Sequence, residues 1–166
     1  MYRSIQDFLD DWREESASTL KIFKALTDDS LSQRVTEQGR SLGRLAWHLV
    51  GTLNEMMNRT GLHVEGPDEN APPPVKAAEL AAAYERGSAS VAREVQRHWT
   101  DDDLSSEIDV YGERWPKRLV LLSLIRHQAH HRAQMTVLMR QAGLAVPGIY
   151  GPSKEEWSSM GMKPME

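Results

Sequence analysis

Ser123-Leu-Ile-Arg-His127-Gln-Ala-His130-His131-Arg-Ala-Gln-Met135 places three of the chain's six histidines within five residues. The apolar residues around it (Leu119, Val120, Leu121, Leu122, Leu124, Ile125, Met135, Val137, Leu138) make a run too long for a strand, which predicts a helix over about 116–142. Pro116 suits its first turn and Gly143 its C-terminal cap. A helix advances about 100° per residue, so His127 and His131, four apart, stack on one face while His130 lies on the flank. Imidazoles in so apolar a helix are unfavourable unless hydrogen bonds or an ion compensate them. A transition metal wants three or four ligands, so the pair requires a partner from another helix. The best supplier is His48, in Leu45-Ala-Trp47-His48-Leu49. His63 and His98 read as ordinary histidines outside the core.

Outward from this stretch the rest of the chain also reads as helices. Ser4 and Asp7 have capping-box spacing ahead of Phe8, Leu9, Trp12, Leu20, Phe23 and Leu26, which predicts a first helix over about 5–27. Asp28-Asp29-Ser30 breaks it, and 31–40 is a polar connection. Ser41 can cap a second helix over about 42–59, on which Leu45, His48, Thr52 and Glu55 share a face. Glu55 is thereby a possible fourth ligand or hydrogen-bond partner of the ligands, although a carboxylate on a bundle helix is ordinarily solvated. From Gly61 to Val75 the Pro-rich composition cannot continue a helix, and a connection of this length can join two parallel helices. An alanine-rich third helix spans about 76–98, with Tyr84 either packed at an interface or turned toward the metal cavity. The stretch 100–115 reads as extended or hairpin-like, with Tyr111-Gly112 as its turn. Leu144–Glu166 is too rich in Gly and Pro for more than a possible turn at 153–157; it reads as an extended tail pinned by Ile149, Tyr150 and Trp157.

His48 after an aromatic residue, the string His127-x-x-His130-His131-Arg132-Ala133-Gln134, and the closing Val146-Pro147-Gly148-Ile149-Tyr150-Gly151-Pro152 together resemble the DinB/YfiT-like family of small helical metal proteins. The resemblance covers nearly the whole chain, with Ala133 standing where glycine is frequent. It implies an all-α, up-down-down-up four-helix bundle with a long crossover loop, and a divalent ion on His48, His127 and His131. It also implies chemistry related to that of thiol-dependent transferases and isomerases, which use bacillithiol or mycothiol as a low-molecular-weight thiol cosubstrate.

The 166 residues fit one domain and can bury a core without staples. Cysteine is absent, so disulfides and thiolate sites are excluded and the metal is expected to be Zn or Ni, or else Fe. A net charge of −4 with dispersed Lys and Arg gives no electrostatic case for nucleic acid. No signal-peptide or membrane-span pattern is present, so a cytoplasmic protein is expected.

Two functions follow. The first is a metal-dependent enzyme, of thiol S-transferase or hydrolase type, that activates a bound thiol or water toward a small-molecule substrate. Ser123, Gln134 and Met135 would line its site, His130, Thr52 and Tyr84 would stand near it, and Arg126 or Arg132 would bind an anion or lie on the surface. The second is a non-catalytic homodimeric metal-binding protein, structural or stress-responsive, with Trp12, Met56, Met57, Trp115 or Met139 at the interface or in the core. All-histidine ligation predicts that metal affinity falls as pH drops through about 6.5.

Overall fold

The computed structural model describes residues 1–163, so the last three positions of the expected tail lie outside the described residues. Four long helices form the body: α1 (Ile5–Lys24), α2 (Leu42–Asn58), α3 (Ala77–His98) and α4 (Lys117–Gln141). A hairpin, β1 (Glu107–Val110) with β2 (Glu113–Pro116), precedes α4, and a short α5 (Lys154–Ser159) follows it.

Both arms of the Ser4/Asp7 capping box are made, and Phe8, Trp12, Glu15, Thr19 and Ile22 form one buried face of α1. The helix stops at Lys24, three residues before the expected end. There the Thr27 and Ser30 hydroxyls accept hydrogen bonds from each other's backbone N–H, which replaces helical pairing by a tight turn over Asp29–Ser32. Ser41 caps α2 by accepting from the Arg44 N–H at 3.2 Å.

Helix directions follow from a few long-range contacts. The Asp28 carboxylate accepts from the Ala77 N–H at 2.8 Å, and Asp101 accepts from the Ile5 N–H at 2.7 Å, so α1 and α3 are antiparallel. Arg118 meets Met1, and Arg132 meets Glu15, so α1 and α4 are parallel. Gly43 sits against Leu31, at the end of the bundle where α3 also begins, so α2 runs alongside α3. The result is the expected up-down-down-up bundle, with α1 packed on α3 and α4, and α2 on the same two helices.

The crossover between α2 and α3 is tied down along its length. Asn58 donates to the Val64 carbonyl at 3.2 Å, Asn54 to Pro67 at 3.1 Å, and the Trp47 indole to Ala71 at 2.8 Å. These three bonds hold an otherwise irregular segment against α2.

In the hairpin, Tyr111 (φ 56°) and Gly112 (φ 81°) both take positive φ, the requirement of a two-residue type I′ turn. Pro116 ends β2 and caps α4 rather than entering its first turn. Gly143 (φ 75°) ends α4 in a Schellman motif: its N–H bonds Arg140 at 3.0 Å, and that of Leu144 bonds Met139 at 2.9 Å.

The tail contains a helix where only a turn was expected. The Glu156 carboxylate accepts from the Ser153 N–H at 3.1 Å at the start of α5 and from the Gly148 N–H at 2.8 Å, and Glu155 pairs with Arg140 at 2.6 Å. Ile149 packs on the core, but the Trp157 indole bonds only the local Pro152 carbonyl, so it is the Arg140–Glu155 pair that pins this end. Trp12, Met56, Met57 and Met139 are buried in the core and offer no docking surface, while Trp115 packs half-buried against it.

Candidate metal centre

α2 and α4 pack side by side, and their spacing delivers one histidine against two. His48, His127 and His131 are half-buried, with a nitrogen from each lying within 4.8 Å of the others. The Nε2 atoms of His48 and His127 are 3.2 Å apart. Ligands at the zinc–imidazole distance around a tetrahedral ion stand about 3.3 Å from one another, so this gap has the length of a coordination edge. The same two nitrogens can share at most one proton, and a cation between them would satisfy both.

The orientation of His131 is fixed from outside. Its Nδ1 lies 2.7 Å from the Gln134 Oε1, which sets Nδ1 as the protonated nitrogen and leaves Nε2 to face inward. The Gln134 amide nitrogen in turn donates to His130 Nε2 at 3.2 Å. His130 is exposed on the flank, as the helical spacing requires, and meets the site through Gln134 and through its ring, which packs edge-on against that of His131 at 4.8 Å. The His127 Nδ1 is buried with no partner.

Burial first, and then the neighbouring His131 and the cationic Arg40 and Arg44, push His48 down to about 4. Burial and the other three histidines likewise push His127 down to about 4. Burial also lowers His131. All three imidazoles are therefore neutral at physiological pH, the form in which histidine binds a metal.

Other expected residues fall into different places. Glu55 lies two turns along α2 from His48 but is held by Arg59 (2.7 Å) and by the Tyr111 hydroxyl (2.8 Å), and it is not part of the three-residue group. Thr52 donates to the Leu49 carbonyl at 3.2 Å and lines a cavity with His48. Ser123 is half-buried one turn before His127 and stands outside that cavity, while Met135 is fully buried in the core. Tyr84 is buried with its ring 4.8 Å from Phe23, so it packs on α1 instead of reaching the metal cavity.

The cavity beside His48 has a volume of about 510 Å³, within the usual range for small-molecule sites. Trp47, Arg44 and Arg59 form part of its walls, together with Asp68 and Glu69 from the crossover. Arg44 stands one helical turn from His48, a spacing that could have been read from the sequence.

Arg132 overturns its surface assignment. It is 2% exposed and donates to Thr19 and the Glu15 carbonyl at 3.0 Å each, to the Glu15 carboxylate at 2.7 Å, and to the Tyr150 hydroxyl. It fills the α1–α4 seam and binds no external anion. The signal was present: Leu121, Leu124, Gln128, Arg132, Met135 and Met139 fall on one three-four stripe, and Glu15 and Thr19 continue the stripe of Phe8 and Trp12.

Known proteins bear on this geometry. The uncharacterized protein YrdA of Bacillus subtilis strain 168 is 43% identical over 163 residues, covering 98% of each chain. The crystal structure of a DinB-like protein from Bacillus cereus ATCC 10987 superposes with a TM-score of 0.87 at 44% identity, over 90% of this chain and 100% of that one. A second DinB-like protein, YjoA of Bacillus subtilis, has a TM-score of 0.68 at 17% identity over 89% and 99% of the two chains, a likeness of fold alone. The model of the DinB family matches residues 1–164, and with these relatives it shows that the chain belongs to the DinB family.

Proposed function

We propose that the protein binds a divalent metal ion, Zn or Ni before Fe, on His48, His127 and His131 and uses it in catalysis on a small molecule. One observation carries this reading: three neutral imidazoles from two helices converge to within 4.8 Å, and His48 borders a cavity of about 510 Å³. Three protein ligands leave a coordination position for an exchangeable group, whereas structural sites close with four. An ion there supplies Lewis acidity, which brings a water or a low-molecular-weight thiol toward ionisation near neutral pH. The chain's own residues do the rest: Gln134 fixes the His131 ring, Trp47 and the pinned crossover shape the cavity, and Arg44 places positive charge at its His48 end.

A non-catalytic dimeric role draws less support, since Trp12, Met56, Met57 and Met139 are buried within one chain. The test is elemental analysis of metal-loaded protein, followed by a screen for metal-dependent thiol transfer and hydrolysis. One equivalent of metal and metal-dependent turnover support the proposal; metal retained by His48→Ala removes it.

A further inference from the structure

The cavity beside His48 carries an asymmetric set of charges that says what it accepts. Of its two arginines, Arg59 is already neutralised: Glu55 holds it at 2.7 Å, and its guanidinium lies 4.7 Å over the Tyr111 ring. Arg44 has no carboxylate partner among the described residues, and it lines the cavity one helical turn from His48. On the crossover, Asp68 and Glu69 likewise form no ion pair among the described residues. The wall that bears them is fixed on both sides, by Asn54 on the Pro67 carbonyl and by the Trp47 indole on that of Ala71. Trp47 supplies an apolar face to the same cavity.

Unpaired charges of opposite sign on the walls of one cavity select a ligand with both signs. A dianion would meet the two carboxylates and a simple cation would meet Arg44; each would bind with one charge unmatched. We propose that the cavity binds a small zwitterion of amino-acid type, its carboxylate on Arg44, its ammonium toward Asp68 and Glu69, and its side chain against Trp47. The inference rests on the metal reading only for the statement that the carboxylate end lies nearest the reaction centre; binding itself does not require the ion.

The experiment uses ligand-observed NMR on zinc-loaded wild type and on metal-free His48→Ala. The probes are L-phenylalanine, L-leucine and L-glutamate, each beside its amide and its deaminated acid. At least one amino acid should bind about tenfold tighter than both of its single-charge analogues, the scale of a charged hydrogen bond at a partly open site. Arg44→Gln should reduce that amino acid to the affinity of its amide, and Asp68→Asn with Glu69→Gln should reduce it to that of the deaminated acid. Deaminated acids that bind as well as the amino acids, or no binding by any probe at millimolar concentration, would overturn the proposal. A zwitterion preference retained in His48→Ala, with wild type that takes up no zinc, would reject the metal reading alone; zinc uptake without the preference would reject this inference alone.

Discussion

His131 and Arg132 are neighbours on α4 and turn to opposite seams of the bundle, where each meets a different solution to burying polar atoms. Toward α1, Arg132 meets the buried Glu15 and Thr19, and the exposed Tyr150 covers the cluster from outside, with each partner making a hydrogen bond. Toward α2, His131 meets His48 and His127, whose facing Nε2 atoms can share at most one proton, so the three inward nitrogens offer more acceptors than donors. A closed network of this kind is architecture. An open set of neutral acceptors beside a cavity is a place for something to bind.

The sharpest way to break this contrast is Arg132→Ala. It leaves the Glu15 carboxylate buried without its cation, and an orphaned member of a buried pair destabilises by about 3–5 kcal/mol. Urea denaturation of metal-free protein measures it; a loss under 1 kcal/mol would mean that the cluster is not closed.

Next in size is His48→Ala. The metal-free variant should match metal-free wild type in stability, while the roughly 2.7 kcal/mol that wild type gains at a hundredfold excess of zinc over its Kd disappears. Thermal melts with and without zinc read both quantities, and a zinc-dependent gain that persists would place the ion elsewhere.

Gln134→Ala should weaken zinc by about tenfold by freeing the His131 ring, with His130→Ala costing less because His130 packs against that ring without hydrogen-bonding it. Competition with a chromogenic chelator ranks the three proteins, and His130→Ala weaker than Gln134→Ala would reverse the relay.

The last effect is in pH. His48 and His127 take up protons near 4 in the folded chain and near 6.5 when unfolded, so between these values the unfolded state binds more protons. Stability of the metal-free protein is therefore full above about 6.5 and declines as pH falls toward 4. The same depression moves the loss of zinc affinity below the 6.5 expected for unperturbed imidazoles, which a zinc titration across this window checks.

The metal face was legible because it depends on a local rule: four residues make one turn, so His127 and His131 had to align, and His48 was the remaining histidine on an apolar helix. The helix ends were legible where a residue type suited to capping stands at them, as at Ser4, Ser41 and Gly143. The α1 terminus was not, because the Thr27 and Ser30 hydroxyls compete with the backbone there. Arg132 was misplaced because residue type was weighed above position. Its charge argued for the surface, while its place in the stripe argued for burial, and a buried partner 117 residues away decided the matter. Arg44 escaped notice for a related reason: the crossover that builds a wall opposite it has no periodic pattern to locate it.

The Glu15 cluster also carries an order in time. Glu15 emerges early in synthesis, whereas Arg132 and Tyr150 lie 117 and 135 residues later. Until those arrive, its carboxylate has only water to bind, and at about 5–20 residues per second the wait is roughly 6–25 seconds. The α1–α3 contact can form in that interval, but the α1–α4 seam cannot close over an uncompensated charge. The last helix and the tail behind it thus act as the clasp of a necklace, and a nascent chain halted before Arg132 keeps the bundle open on that side.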